Sequence, residues 1–374
     1  MNLARVVATR RLVVCVGSGG VGKTTTAASI ALRAAFEGRR ALVLTIDPAR
    51  RLANALGLTE IGNSEVQVQL GPEARGTLHA MMLDPRSTLD DVIARVSKDA
   101  ASRDKVYANR IYRHIAGSFS GSQEYMATER LYDVHVSGRY DLIVLDTPPV
   151  KNALDFLESP GRLTRFLDRQ IMRWFLTPHE EGMFGKRLLM GTSAVVYRLL
   201  SHIFGRDFLD ELATFFRLFG ELYDGFRERH EAVGRIFADP STAFVVVSAP
   251  TDASMEVAKF FLEELGNRRL PLAGLVVNQV HVATSTEPDV ERLLGVAARA
   301  ADPRYAAALL ARVSMAHRRL RALAALEAEH VAELRVASGS AWVRVVPRLR
   351  DEVHDLAGLR QLHVALFDVD GSRV

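Results

Sequence analysis

Residues 12–24 run Leu-Val-Val-Cys-Val-Gly-Ser-Gly-Gly-Val-Gly-Lys-Thr. An apolar run leads into a glycine-rich loop with the spacing Gly-x4-Gly-Lys-Thr, and a helical pattern follows to Phe36. Strand, glycine loop and helix in that order make a phosphate-binding P-loop. Glycine lets the backbone curl so that several N–H groups point inward at an anion. The start of the following helix adds its partial positive charge. In this motif Gly19, Gly20, Val21 and Gly22 form the cradle. Lys23 reaches the β- and γ-phosphates and the Thr24 hydroxyl holds Mg²⁺.

The rest of the chain repeats the strand-then-helix alternation. Apolar runs at 41–46, 78–83, 141–146, 242–248, 272–277 and 341–346 read as buried strands, and helical patterns separate most of them. This predicts an α/β fold, a doubly wound, mostly parallel sheet with a P-loop. Two stretches without strand signal, about 85–138 and 159–240, read as helical insertions forming a helical subdomain. All 374 residues read as one P-loop domain. Residues 1–10 read as a short basic lead-in, 57–76 as irregular, and 303–335 as one or two helices with a solvated Arg/Glu face. The 252–266 helix is expected to close at Gly266.

In an open α/β sheet, ligands sit beyond the carboxyl ends of the strands. Two acidic residues occupy such ends. Asp47 follows the second strand, beside the expected phosphates, or else caps a helix beginning at Pro48. Asp146 ends Asp141-Leu142-Ile143-Val144-Leu145-Asp146, the pattern of a Walker B strand, whose aspartate supports Mg²⁺. Asn278 ends another strand, placed either to meet a purine edge or to cap the strand.

Net charge is only +4, with no concentrated basic block, and no nucleic-acid partner is expected. No apolar run reaches the ~18 residues of a membrane span, and no signal-peptide pattern opens the chain. The expectation is a cytoplasmic protein with at most transient membrane contact. The one cysteine, Cys15, excludes internal disulfides and thiolate clusters within the chain. Six of the 17 phenylalanines fall between 204 and 226. Phe208, Leu212, Phe215, Phe219, Leu222 and Phe226 recur at helical spacing, so this face either covers the sheet or forms a groove for an apolar partner.

The loop Gly17–Thr25 resembles the deviant Walker A motif of the MinD/ParA/ArsA ATPases. Asp47-Pro48-Ala49-Arg50-Arg51-Leu52 and Asp146-Thr147-Pro148-Pro149 resemble the two switch segments of the ArsA branch. That branch holds arsenite pumps, the targeting ATPase for tail-anchored membrane proteins and bacterial anion-transporting ATPase relatives. The resemblance implies an ATP-hydrolysing, Mg²⁺-dependent dimer, formed with itself or with a related ATPase subunit. It gives catalytic roles to Asp47, Lys23 and Asp146, α-phosphate contact to Thr25, metal ligation to Thr24 and Asp146, and adenine contact to Asn278 and Pro347. It also implies ATP and ADP as ligands and an apolar membrane-protein client, here through the 204–226 helix. A nucleotide-dependent switch, or a low-turnover subunit of a heteromeric complex, is the alternative. The chain departs from the pattern at Ser18, where the family carries an additional lysine. That leaves the lysine's charge to Arg50, Arg51 or a different subunit. With Cys15 alone, metalloid pumping is not expected.

Overall fold

The computed structural model describes residues 2–46, 51–97, 99–110, 112, 122–148, 231–282 and 303–367, with isolated positions between 205 and 229 and at 295. Its centre is an eight-stranded sheet ordered β3-β4-β2-β5-β1-β6-β7-β8. The strands are β1 Leu12–Gly17, β2 Arg40–Thr45, β3 Val66–Gln67, β4 Thr77–Met82, β5 Leu142–Asp146, β6 Thr242–Ser248, β7 Leu272–Val280 and β8 Trp342–Pro347. All pairings are parallel except the short β3 against β4. β1, β5 and β6 are buried along their whole length, as strands covered on both faces must be.

Alternation of side chains along each strand divides the core into two layers. Leu12, Val14 and Val16 join one layer with Ile93 of α4 (Pro85–Val96), Leu131 of α6 (Ser122–Ser137) and Phe261 of α7 (Asp252–Asn267). Val13 and Cys15 join the other, with Val6 of α1 (Leu3–Thr9), Ile30 of α2 (Lys23–Phe36) and Leu362 of α9 (Leu356–Phe367). α3 (Arg51–Ala55) and α9 both lie against α2.

Several elements differ from expectation. The basic lead-in is α1: Asn2 Oδ1 accepts from the Arg5 N–H, and Leu3, Val6 and Val7 are buried on one face. The 252–266 helix does not stop at Gly266, since α7 continues to Asn267 and Arg269 takes the left-handed conformation (φ 54°). β7 extends three residues further, to Val280, carrying Asn278 inside a strand. The Ala/Leu/Arg-rich segment is one helix, α8 (Pro303–Ala337), of 35 residues. The described part of the first insertion holds α4, α5 (Ala100–Ala108) and α6, and the second lies mostly outside the described residues.

The start of β5 is fixed by a carboxylate. Asp141 accepts from the Arg40 backbone N–H (2.9 Å) and pairs with the Arg40 guanidinium (2.7 Å). The hydrogen bonds from Arg40 hold Asp141 down at about 2. A carboxylate depressed in the folded state stabilises it above its unfolded value and loses that contribution as pH falls. We therefore expect a loss of thermal stability between pH ~4 and about 2, absent in Asp141→Asn. The loss is small, because both side chains are more than a third exposed and solvent screens them. Melting curves across that window check it.

Candidate functional site

The site lies at the carboxyl ends of β1, β2, β5 and β7. β1 delivers the chain into the loop through Gly17, which passes so close to β6 that a Cβ there would lie 2.0 Å from the Val247 carbonyl oxygen. Gly22 caps α2 in the left-handed conformation (φ 88°). A Cβ on it would sit 2.4 Å from Asn278 Nδ2. Two separate constraints, conformation and space, therefore require glycine there. The Thr26 N–H makes the first helical bond, to Gly22 O, so the preceding N–H groups have no intrahelical acceptor.

Lys23 is 8% exposed, and its Nζ donates back to Ser18 O at 2.7 Å. Thr24 Oγ1 donates to Asp146 Oδ2 at 2.7 Å, and Thr45 Oγ1 donates to the same oxygen at 2.9 Å. Asp146 is fully buried. Parallel pairing sets it beside both Cys15 and Thr45. Thr147, the next residue, donates through Oγ1 to Cys15 O (2.8 Å). Thr25 Oγ1 is turned to Gly22 O (3.0 Å). Burial first, and the Asp146 charge second, push the Cys15 thiol far up, so it is a neutral packing group.

The far strand reaches back to the loop. Asn278 Nδ2 donates to Val21 O (2.9 Å), and Gln279 Nε2 donates to Gly20 O (3.0 Å). Gln279 has a positive φ of 62°, which turns two consecutive side chains onto consecutive loop carbonyls. Ser18 Oγ donates to Ser254 Oγ of α7 (3.1 Å). These residues open on a cleft of about 600 Å³, a volume suited to a small ligand. Gly19, Gly20, Lys23, Thr24 and Thr25 line it together with Asn278, Gln279 and the segment 348–354.

The structure thus brings Gly19, Gly20, Gly22, Lys23, Thr24, Thr25 and Asn278 to one cleft, with Asp146 directly beneath Thr24 and Val21 held by Asn278. Pro347 closes β8 opposite Val280, and the residues after it reach the cleft. Asp47 lies outside the described residues. Thr45, Gln279, Ser254 and the 348–354 segment were not anticipated. Thr45 was the most accessible of them, since it ends the strand that leads to Asp47. Gln279 gave no signal, because its role depends on a backbone turn that Gln does not announce. The cradle fits a polyphosphate, since the Lys23 ammonium and the open start of α2 put positive charge and N–H donors along the cleft. The Thr24 hydroxyl and Asp146 carboxylate are the hard oxygen donors that Mg²⁺ takes. Among the described residues no cluster of three His, Cys, Asp or Glu side chains is placed to hold a metal, and no helix is long and apolar enough to cross a membrane.

Comparison with known proteins agrees with this geometry. The chain is 29% identical over 275 residues to the ATPase get3 of Aspergillus terreus, covering 71% of each chain. It is 26% identical over 271 residues to the ATPase get3 of Neurospora crassa, again covering 71% of each. To the ATPase ASNA1 homolog 1 of Paramecium tetraurelia it is 24% identical over 272 residues, covering 71% of this chain and 73% of that one. Residues 10–298 match the family described as Anion-transporting ATPase. That span contains every loop and strand that builds the phosphate end of the cleft, so the chain belongs to the anion-transporting ATPase family and is a nucleotide-binding ATP hydrolase.

Proposed function

We propose that this ATPase works as a Mg²⁺-dependent, nucleotide-gated dimer that shields an apolar segment of a membrane-protein client, in the manner of tail-anchored protein targeting. The observation that carries the chemical part is the Thr24–Asp146 hydrogen bond (2.7 Å). It sets a hydroxyl and a carboxylate side by side at the base of the P-loop.

Lys23 exchanges the Ser18 carbonyl for β- and γ-phosphate oxygens. Thr24 and Asp146 would hold Mg²⁺, the hydroxyl oxygen as a ligand and the carboxylate as its support. Thr25 meets the α-phosphate. Asn278 and Pro347 would contact the adenine. Asp47 orients the attacking water. When bound, Mg²⁺ neutralises charge on the phosphates, so that catalysis is mainly positioning and charge stabilisation. With Thr24 and Asp146 as its donors from the chain, the ion would draw its remaining ligands from phosphate and water, as Mg²⁺ commonly does.

Among the described members of the Phe-rich face, Phe208 is 42% exposed while Phe215 is 3% exposed and packed in the core. Phe219, Leu222 and Phe226 lie outside the described residues. Phe208 is therefore the position from which to probe a client. We expect Asp47→Asn protein, loaded with ATP and Mg²⁺, to hold a purified model protein carrying one carboxyl-terminal apolar segment in solution. It should not hold the same protein without that segment, and Phe208→Asp should weaken the complex. Failure to hold either form overturns the client reading.

A second reading is a switch or low-turnover subunit, favoured by Ser18. Its hydroxyl is engaged with Ser254 within the chain and offers no cation to a neighbouring subunit. A turnover rate of wild-type protein near zero that rises on mixing with a second ATPase supports this reading.

A further inference from the structure

α8 is most deeply buried toward its carboxyl-terminal end. Ala324, Glu327, Val331 and Leu334 are buried, whereas no residue from 307 to 323 is. At 1.5 Å per residue this is roughly 25 Å of helix, half-buried along Leu309, Leu310, Val313 and His317 and exposed on the opposite face. Met315, Leu320, Leu323 and Leu326 are 36–49% exposed on it. Met315, Ala322 and Leu326 follow one another at spacings of seven and four, and so lie on one outward line. Arg312 and Arg319 flank that line on one side and Arg318 on the other.

The charge on this half is one-sided. Residues 303–326 contain five arginines and no Asp or Glu, the first acidic residue being Glu327. A solvated helix commonly neutralises its arginines at i±4, and this one does not. An apolar ridge between guanidinium groups suits a phospholipid surface. The ridge enters the boundary of the acyl chains while the arginines reach lipid phosphates along their apolar stems. The same half of α8 from a second copy is a poor occupant, because packing the two together would set like charges against each other.

We propose that the 307–326 half of α8 is a docking surface for a bilayer containing anionic lipid. The proposal stands independently of the client reading, since it uses none of the same residues. It is tested by sedimenting the full-length protein with phosphatidylcholine vesicles, with and without phosphatidylserine. Wild type should bind only the phosphatidylserine vesicles, and less as salt rises. Each juxtamembrane arginine contributes about a fivefold factor in affinity, so Arg312→Gln/Arg318→Gln/Arg319→Gln should bind roughly a hundredfold more weakly. Met315→Gln/Leu326→Gln should lose binding even at low salt. All five positions are exposed, and far-ultraviolet circular dichroism checks that both variants keep the fold. The proposal is overturned if wild type ignores the phosphatidylserine vesicles, or if either variant binds them as wild type does. It is equally overturned if polyuridylate competes while Met315→Gln/Leu326→Gln still binds, which marks the surface as a nucleic-acid site.

Discussion

Replacing Lys23 by alanine is expected to lower ATP turnover by roughly 10²–10³-fold and to weaken nucleotide binding as well. The reason is where the ammonium sits. Lys23 is 8% exposed, so its charge acts through a medium that screens far less than water. It already bonds a loop carbonyl, Ser18 O, at 2.7 Å, so a phosphate oxygen replaces one acceptor with a better one. A charged acceptor makes the stronger hydrogen bond, and the gain grows as charge develops on the transferring group. Lys23→Arg should not rescue, because a planar fork does not fit the space of a compact ammonium. Steady-state phosphate release with Mg²⁺ and ATP, alongside titration of a fluorescent nucleotide, separates the two effects. Turnover equal to wild type would remove Lys23 from the proposed mechanism. Thermal stability should change little by comparison.

How much of this was legible depends on the range over which each residue acts. The P-loop is local: glycines, lysine and threonine stand within one short stretch, and each is needed by the backbone or by the anion. The sheet was legible for a similar reason, since strands buried on both faces are continuous apolar runs. Asn278 is different. Its position was suggested by the strand end, but its partner, Val21 O, is 257 residues away. No pattern near Asn278 indicates that the side chain closes over a glycine loop. The Phe-rich face shows a limit of a different kind. A helical stripe of Phe208 and Phe215 looks uniform in sequence, yet one side chain is exposed and the other buried, because spacing gives a face and not what covers it. The α1 helix was missed because seven residues are too few for periodicity. Its stability comes from the Asn2 cap and from burial of three side chains, a tertiary contribution that short helices depend on.

The second large effect concerns stability. Arg229→Leu is expected to destabilise the protein by about 3–5 kcal/mol, more than removing the partner carboxylate together with it. Arg229 bonds Glu129 and also Asp133 (2.5 Å), both on α6. Its guanidinium lies 4.5 Å from the centroid of the Tyr132 ring, and Arg95 of α4 shares the same Asp133 oxygen (2.5 Å). Burial works to lower the Arg229 pKa, but the two carboxylates outweigh it and hold it above its usual value. The Glu129 side chain is only 2% exposed. Without Arg229 the Glu129 carboxylate loses that guanidinium in a medium that screens charge poorly, while Asp133 retains Arg95. Arg229→Leu with Glu129→Gln removes both charges of the buried pair, and a matched apolar or neutral replacement of such a pair is often near neutral. The double variant should therefore be more stable than Arg229→Leu alone, an order that simple loss of packing would not produce. Denaturant midpoints of the two single variants and the double variant complete the cycle. If the double variant is the least stable of the three, the pair contributes through packing against Tyr132 and not through charge. The position of the network gives the result a wider meaning. Arg229 lies two positions before the helical residues 231–238 that lead toward β6, the strand beside the P-loop strand. The same contacts that neutralise Glu129 therefore fasten α4 and α6 to the segment that returns the chain to the sheet.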